Sequence, residues 1–231
     1  MLEILEHGAI AFMYRPRVQT EVARGIEDVQ AFYVVLVPAG GRVSRRVRVG
    51  RKRLPDGRRR ERFWAYVERV AHSPADLVRD LAAAEYWTKT RGLRHQPGPR
   101  LAGEGAYALA RHGEHVHLAY ATRERGRCAE VRDDLRISKE ASYIVAAFAA
   151  SVEREPRATD EDRRFVPLEP EHLDVAGAEM VLIATRETVA ADVGARPDPD
   201  AEGEAIAALR HIVREASGRP GSTPLLDGVW H

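Results

Sequence analysis

Three groups of side chains in this 231-residue chain have types and spacings that could do chemistry. The first is a run of cations. Between Arg42 and Arg62 stand eleven basic and two acidic residues, a local charge of +9. Arg46 and Arg48 alternate onto one face of an expected strand, and Arg51, Lys52, Arg53, Arg58, Arg59 and Arg60 fall in the loop after it. Trp64 and Tyr66 share a face of the next strand. Guanidinium groups bind phosphate through a planar fork and aromatic faces accept unstacked bases, so the pattern points to RNA, single-stranded DNA or another phosphate anion. The same residues also read as a solvated edge hairpin, neutralised by the acidic C-terminal third of this chain or of a neighbour.

The second group is His112, His115 and His117. Strand alternation puts His115 and His117 on one face, with His112 across a tight turn. Two imidazoles can ligate zinc, iron or copper with Glu114 or Asp133 completing the shell, or act as an acid and base pair. No HExxH or facial-triad spacing accompanies them, so no metal and no cofactor is expected. The third group is Tyr86 to Gly92, followed by Arg94. The hydroxyls of Thr88 and Thr90 and the Arg94 cation could surround an anion, or the segment could simply end a helix, with Lys89 and Arg91 offsetting its dipole. Gly103-Glu104-Gly105 lacks the third glycine of a dinucleotide loop, and no P-loop or nucleophile elbow occurs. Cys128, beside Arg125 and Arg127, is the single cysteine, which excludes an internal disulfide and a CxxC pair and suits a reducing, cytoplasmic setting.

The composition frames these groups. Of 36 basic residues only Lys52, Lys89 and Lys139 are lysine, an arginine skew of the kind a GC-rich genome produces, so the position of the charge says more than its amount. A net charge of +1 conceals −8 over Ser151 to His231 against the +9 of the hairpin. The longest apolar run, Ile144 to Val152, is too short to span a bilayer, and Glu3 and Glu6 stand where a secretory leader would carry cations. Neither a membrane partner nor export is expected.

The elements that must position these groups follow from periodicity. Ala31–Pro38 and Val43–Val49 form a hairpin around Ala39-Gly40-Gly41, Pro55-Asp56-Gly57 turns the chain into a strand over Arg62–Val70, and Ala9–Tyr14 is a further strand. Ser73-Pro74-Ala75-Asp76 opens a helix expected over Pro74–Tyr86, and Lys89–Gly103 reads as a long loop. Gly105–Arg111 and His115–Thr122 form another hairpin. Ala129–Ile137 continues as a strand with Asp133 facing inward, and Ala141–Ser151 leans to strand at its start. Ala178–Ala184 is a strand, Glu187–Val193 a short helix and Glu202–Ala216 an amphipathic helix, with a linker at 196–200 between the helices. The expected class is α+β: a mainly antiparallel, strongly bent sheet or partial barrel with a few flanking helices. Residues 1–155 form its core, and an acidic strand and helices over 156–231 pack on the same domain.

Several stretches together resemble a family of uncharacterised bacterial and fungal proteins: Phe12-Met13-Tyr14-Arg15-Pro16, Val49-Gly50-Arg51-Lys52-Arg53-Leu54-Pro55, Tyr86-x-Thr88-x-Thr90-x-Gly92 and His115-x-His117-Leu118-Ala119-Tyr120. The resemblance covers much of Ala9–Ile144. This chain departs from it at Ala121-Thr122-Arg123-Glu124 and at Val145-Ala146-Ala147. It implies no activity, only that Arg15, Lys52, Thr88, Thr90, Arg94, His117 and Tyr120 gather in space. The leading expectation is thus nucleic-acid or phosphate-anion binding through the basic hairpin. One alternative is a small metal-dependent or histidine-based hydrolase centred on His115 and His117, with Arg15 or Lys52 stabilising an anion. Another is a non-catalytic homo-oligomer.

Overall fold

Burial on two faces decides the architecture, because in the strand over Leu2–Pro16 both sets of alternating side chains are buried: Ile10, Phe12 and Tyr14 on one side, Ala11 and Met13 on the other. A strand buried on both faces needs a second layer outside the sheet as well as a core within it. The computed structural model describes residues 2–40, 43–123, 130–152, 164–185, 189–194 and 196–218. In chain order its elements are β1 (Leu2–Pro16), β2 (Val29–Pro38), β3 (Ser44–Val49), β4 (Arg62–Ala71), α1 (Pro74–Val78), β5 (Ala84–Thr88), β6 (Gly92–Gln96), β7 (Arg100–His112) and β8 (His115–Thr122). There follow α2 (Glu130–Asp134), β9 (Glu140–Phe148), α3 (Ala149–Val152), β10 (Phe165–Pro167), β11 (Glu179–Ala184), α4 (Val189–Val193) and α5 (Gly203–Ala216).

Eight antiparallel strands run in the order β9-β11-β4-β3-β2-β1-β7-β8, and β8 returns to pair with β9 from Val116↔Val145 to Ala121↔Glu140. The sheet is therefore a closed barrel, which corrects the expectation of a bent sheet or partial barrel. Inward residues such as Phe12, Phe32, Val34, Tyr107, Leu118, Tyr120, Tyr143 and Leu182 fill the lumen. Leu168 and Leu173 belong to the same core, as do Leu54, Val131, Leu135 and Ile137, with Leu54 N–H bonded to the Leu135 carbonyl at 3.0 Å. A void of about 20 Å³ remains, room for no more than a water. On the outside, α1 and α5 cover β1, β2 and β7 through Leu77, Leu81, Leu209 and Val213, while α4 covers Ala110 and Ala119 through Val189 and Val193. β11 lies between β4 and β9, so residues beyond 156 complete the same barrel. The boundary expected at 155 falls outside the described residues, as do Gly41, Arg42, Cys128, Ala129 and Glu187.

Three expected elements differ. The helix over Pro74–Tyr86 stops at Val78 and tightens into a single turn over Arg79–Leu81. Its Leu77 carbonyl accepts from the Arg46 guanidinium, which engages an oxygen that a continuing helix would turn toward Leu81 N–H. Tyr86 stands instead in β5, paired with β6, so the long loop expected over Lys89–Gly103 is mostly strand. Ala129–Ile137 is not a strand: Val131 and Leu135 sit one helical turn apart, joined by a 3.0 Å backbone bond. Both residues suit either period, and Asp133 decides between them, because it is exposed. Gly105 is a wall residue, where any Cβ would collide with the Ala121 carbonyl, so the Gly-x-Gly pair has no phosphate-loop role.

The buried charges of β3 hold the barrel to its coverings. Arg45, inside one end, donates to Asp174 at 2.7 Å, to Glu6 at 2.5 Å and to the Pro170 carbonyl at 3.2 Å, and Tyr107 Oη also donates to Glu6 at 2.7 Å. Breaking a buried pair by deleting one partner strands the other charge. Arg45→Ala should lower unfolding free energy by roughly 3–5 kcal/mol, read from the denaturant midpoint; a loss under about 1 kcal/mol would show that the network contributes no more than a surface pair.

Candidate anion-binding cleft

The arginine-rich segment divides once it is folded. Arg46, 2% exposed, is enclosed: its guanidinium donates to Glu68 at 2.8 Å and forks onto Asp80 at 2.7 and 2.8 Å, and it lies over the Tyr33 ring. It clamps α1 to the barrel and is not available to a phosphate, which corrects its expected place in a nucleic-acid surface. Arg48 pairs with Glu68 at 3.3 Å, and Arg53 forks onto Glu61 at 2.6 and 2.8 Å, holding that carboxyl down to about 2. Lys52 is half-buried, and desolvation with the nearby Arg17 pushes its ammonium below the usual range. Trp64 packs against Phe148 and Phe165, with its carbonyl accepting from Gly50 N–H at 2.7 Å, and Tyr66 is half-buried on the same strand, paired across from Arg48. Arg51, Arg58, Arg59, Arg60 and Arg62 remain exposed.

Arg58 leads to a concave site that sequence reasoning missed. A cleft of about 860 Å³ opens where the β3–β4 loop, the α2–β9 segment and the end of β11 meet at the barrel rim. Three arginines line it, Arg58, Arg132 and Arg136, together with Asp56, Asp133, Glu140 and the hydroxyl residues Ser138, Ser142, Tyr143 and Thr185. The acids are partly committed. Asp56 accepts from Arg58 N–H at 2.9 Å, capping the short turn Gly57–Arg59, and Glu140 pairs with Arg196 at 2.9 Å. Arg132 is held in place by Thr122 Oγ1 and the Ser138 carbonyl. The Arg136 guanidinium takes no hydrogen bond or ion pair among the described residues.

Backbone strain marks the same rim. Among the described residues only three besides glycine have positive φ: Gln19, Arg60 at 50° and Arg136 at 57°. Two of them are arginines ending the short helical turns on either side of the cleft, where glycine is the usual occupant. A side chain there costs about 1–2 kcal/mol, and such strain tends to gather at functional sites.

The histidines form a second cluster on the outer wall, which shares Ser142 and Thr185 with the cleft lining. His117 faces outward from β8 and is buried under α4, while His112 and His115 are exposed, with the His112 and His117 rings 6.3 Å apart. His117 Nδ1 lies 3.4 Å from Ser142 Oγ and 3.5 Å from Asp192 Oδ2, and Thr185 Oγ1 donates to Asp192 at 2.9 Å. A serine–histidine–aspartate relay needs its hydroxyl and carboxylate on opposite ring nitrogens. Here both face one nitrogen, so the cluster ties α4 to β8 and β9. No group of three or more His, Cys, Asp or Glu that could hold a metal occurs among the described residues. Arg15 lies elsewhere, donating to the carbonyls of Pro97 and Ala82, with burial lowering its pKa. Tyr120 points into the lumen, and Thr88, Thr90 and Arg94 sit on the β5–β6 hairpin, so the polar set implied by the resemblance is dispersed.

The fold is thus a filled, closed antiparallel barrel with its polar cleft at one rim. Comparison with protein-family models, curated proteins and solved structures finds no match to this chain. No described helix is long and apolar enough to cross a membrane.

Burial outweighs the Asp192 carboxylate and, with His112 and His115, lowers the His117 pKa from its ordinary 6.5. Above pH 6.5 the ring is neutral in both folded and unfolded chains. Below that the unfolded chain takes up a proton that the folded one resists, so the stability conferred falls as pH drops from 6.5 toward the lower folded value. Denaturant midpoints at pH 7.5 and 5.5 should show this loss, reduced in His117→Asn; an equal loss in both proteins would assign it to other groups.

Proposed function

We propose that this protein binds a phosphate-bearing anion in the rim cleft. The observation that carries the reading is the convergence of Arg58, Arg132 and Arg136 on one concave surface, with Arg136 holding a strained backbone and an uncommitted guanidinium. Guanidinium forks match phosphate oxygens, and a hydroxyl such as that of Ser138 offers a further hydrogen bond. The exposed Arg59 and Arg60 extend the positive field along the approach, so a phosphate of a nucleotide or of single-stranded nucleic acid meets cations before it reaches the cleft. This retains the phosphate chemistry expected from the basic hairpin and moves its centre to the loop beyond β3. A hydrolase centred on His117 gains no support from the geometry of that ring.

Calorimetric titration with inorganic pyrophosphate and with a short oligothymidylate, at low and near-physiological salt, tests the reading. Binding should weaken with salt, and Arg58→Ala/Arg132→Ala should reduce it by about tenfold or more, since a hydrogen bond to a charged group contributes about 1.5–3 kcal/mol. Absence of heat with both probes at low salt would end the proposal.

Arg136→Gly separates stability from binding. Glycine relieves the left-handed strain, so the variant should unfold about 0.5–1 kcal/mol later than the parent while binding pyrophosphate more weakly. A variant that is both more stable and equally competent would remove Arg136 from the site.

A further inference from the structure

The β5–β6 hairpin stands apart from the barrel as its own two-stranded sheet, and almost none of it is buried. A two-stranded hairpin with no buried face is marginal in water, and natural ones compensate with polar surfaces. This one does the reverse. Of the eight exposed large hydrophobic residues in the described chain, three lie within Tyr86–Leu93: Tyr86 at 44%, Trp87 at 75% and Leu93 at 52% exposure. Trp87 and Leu93 are cross-strand partners on one face, while Tyr86 and Arg94 pair on the other. Lys89 and Arg91 are exposed in the connecting turn, where Thr88 Oγ1 accepts from Arg91 N–H and donates to the Gly92 carbonyl, both at 3.2 Å. The base is firmly held. Gln19, in its left-handed backbone, brackets His95 with a donated and an accepted bond at 2.8 and 2.7 Å, and Gln96 Nε2 donates to the Pro16 carbonyl at 3.0 Å. A rigid base presenting an unburied apolar finger is the form of a docking element.

We propose that this hairpin docks on an anionic lipid surface, lodging Trp87, Leu93 and Tyr86 at headgroup depth while Lys89, Arg91 and Arg94 meet lipid phosphates. Two observations select this occupant. Apolar groups lie on both faces of the finger, so a flat protein partner would cover one face and leave the other wet, whereas an interfacial layer surrounds both. The Trp87–Leu93 pair is also partly aliphatic, and an interface accommodates leucine where base stacking gains nothing from it. Charge complementarity sets the sign: three cations against Glu85 alone within the hairpin favour an anionic leaflet. The site is independent of the rim cleft.

Co-sedimentation of the full chain with vesicles of phosphatidylcholine containing phosphatidylserine, against phosphatidylcholine alone, is the test. The protein should pellet with the anionic vesicles and be released by salt. Trp87→Ala/Leu93→Ala should reduce partitioning by about tenfold or more, and Lys89→Ala/Arg91→Ala should weaken it and flatten its salt dependence. Trp64→Ala, which alters the other exposed aromatic patch, and Arg58→Ala/Arg132→Ala, which disables the cleft, should pellet as the parent does. Because the hairpin residues are exposed, their variants should keep the parent's circular dichroism. Failure to pellet with anionic vesicles, or an equal loss with Trp64→Ala, overturns the proposal. So does a result in which the Trp87/Leu93 variant instead abolishes self-association in sedimentation velocity, or oligothymidylate binding, since either names a different occupant.

Discussion

The pairing of β8 with β9 is the constraint on which the rest of this molecule depends. Without its six residue pairs the sheet would end in two open edges, with inward-facing aromatic residues such as Tyr120 and Tyr143 lying near a wet border. With them every barrel strand is paired on both sides, the lumen is sealed, and the remaining void is too small for a ligand. Closure therefore leaves no room for a ligand inside the barrel. A filled barrel leaves only its rims, its outer wall and whatever projects from it, and the cleft and the hairpin occupy two of those places.

The second determinant is how arginine is spent. Neighbouring side chains of one strand go to opposite faces, so Arg45 enters the barrel end to meet Glu6 and Asp174, while Arg46 emerges to fix α1 through Asp80, Glu68 and the Leu77 carbonyl. A guanidinium has five donors in a fixed plane, and these two sites use that fork to join segments distant in sequence. The dense charge of the segment is thus in good part structural, and the arginines left at the surface are those of the loop, Arg51, Arg58, Arg59 and Arg60.

Many of the strands, though not their order in the sheet, were legible in the residues, because alternation survives wherever a wall separates an apolar lumen from a different outer environment. Arg62–Val70 and His115–Thr122 read correctly for that reason, while Ala31–Pro38 and Ala178–Ala184 read correctly as continuous apolar runs, the mark of a strand buried on both faces. The failures have equally local causes. Val131 and Leu135 satisfy two periods at once, and Ile137, beyond the helix, extends the false alternation. The helix begun by Ser73 and Pro74 is cut short by a hydrogen bond from a residue some thirty positions upstream, which no local signal reveals. β5 and β6 bury too little to leave a pattern. Of the cleft, Arg58 belonged to the noticed basic run, but Arg132, Arg136 and Thr185 carry no motif. They meet only because the β3–β4 loop, α2 and β11 end at the same rim. His117 was noticed for its spacing, and only tertiary packing shows that its partners are Ser142 and Asp192 on a single nitrogen.

The position of β11 also shapes how the chain reaches this state. β4 is complete by Ala71, yet one of its two neighbours comes from Glu179–Ala184, so that Trp64 waits for Val181, 117 positions later (181 less 64). During synthesis the meander from β1 to β4 can form early from near neighbours, while the β4 edge stays unpaired until Glu179–Ala184 has emerged. That edge carries Phe63 and Trp64, the apolar and β-prone side chains most open to mispairing, and Arg62 beside them acts as a gatekeeper over the interval. Among the described residues the last strand to be made is thus the one that turns an open sheet into a barrel, and a chain truncated before it would keep most of its residues and leave the edges of β4 and β9 unpaired.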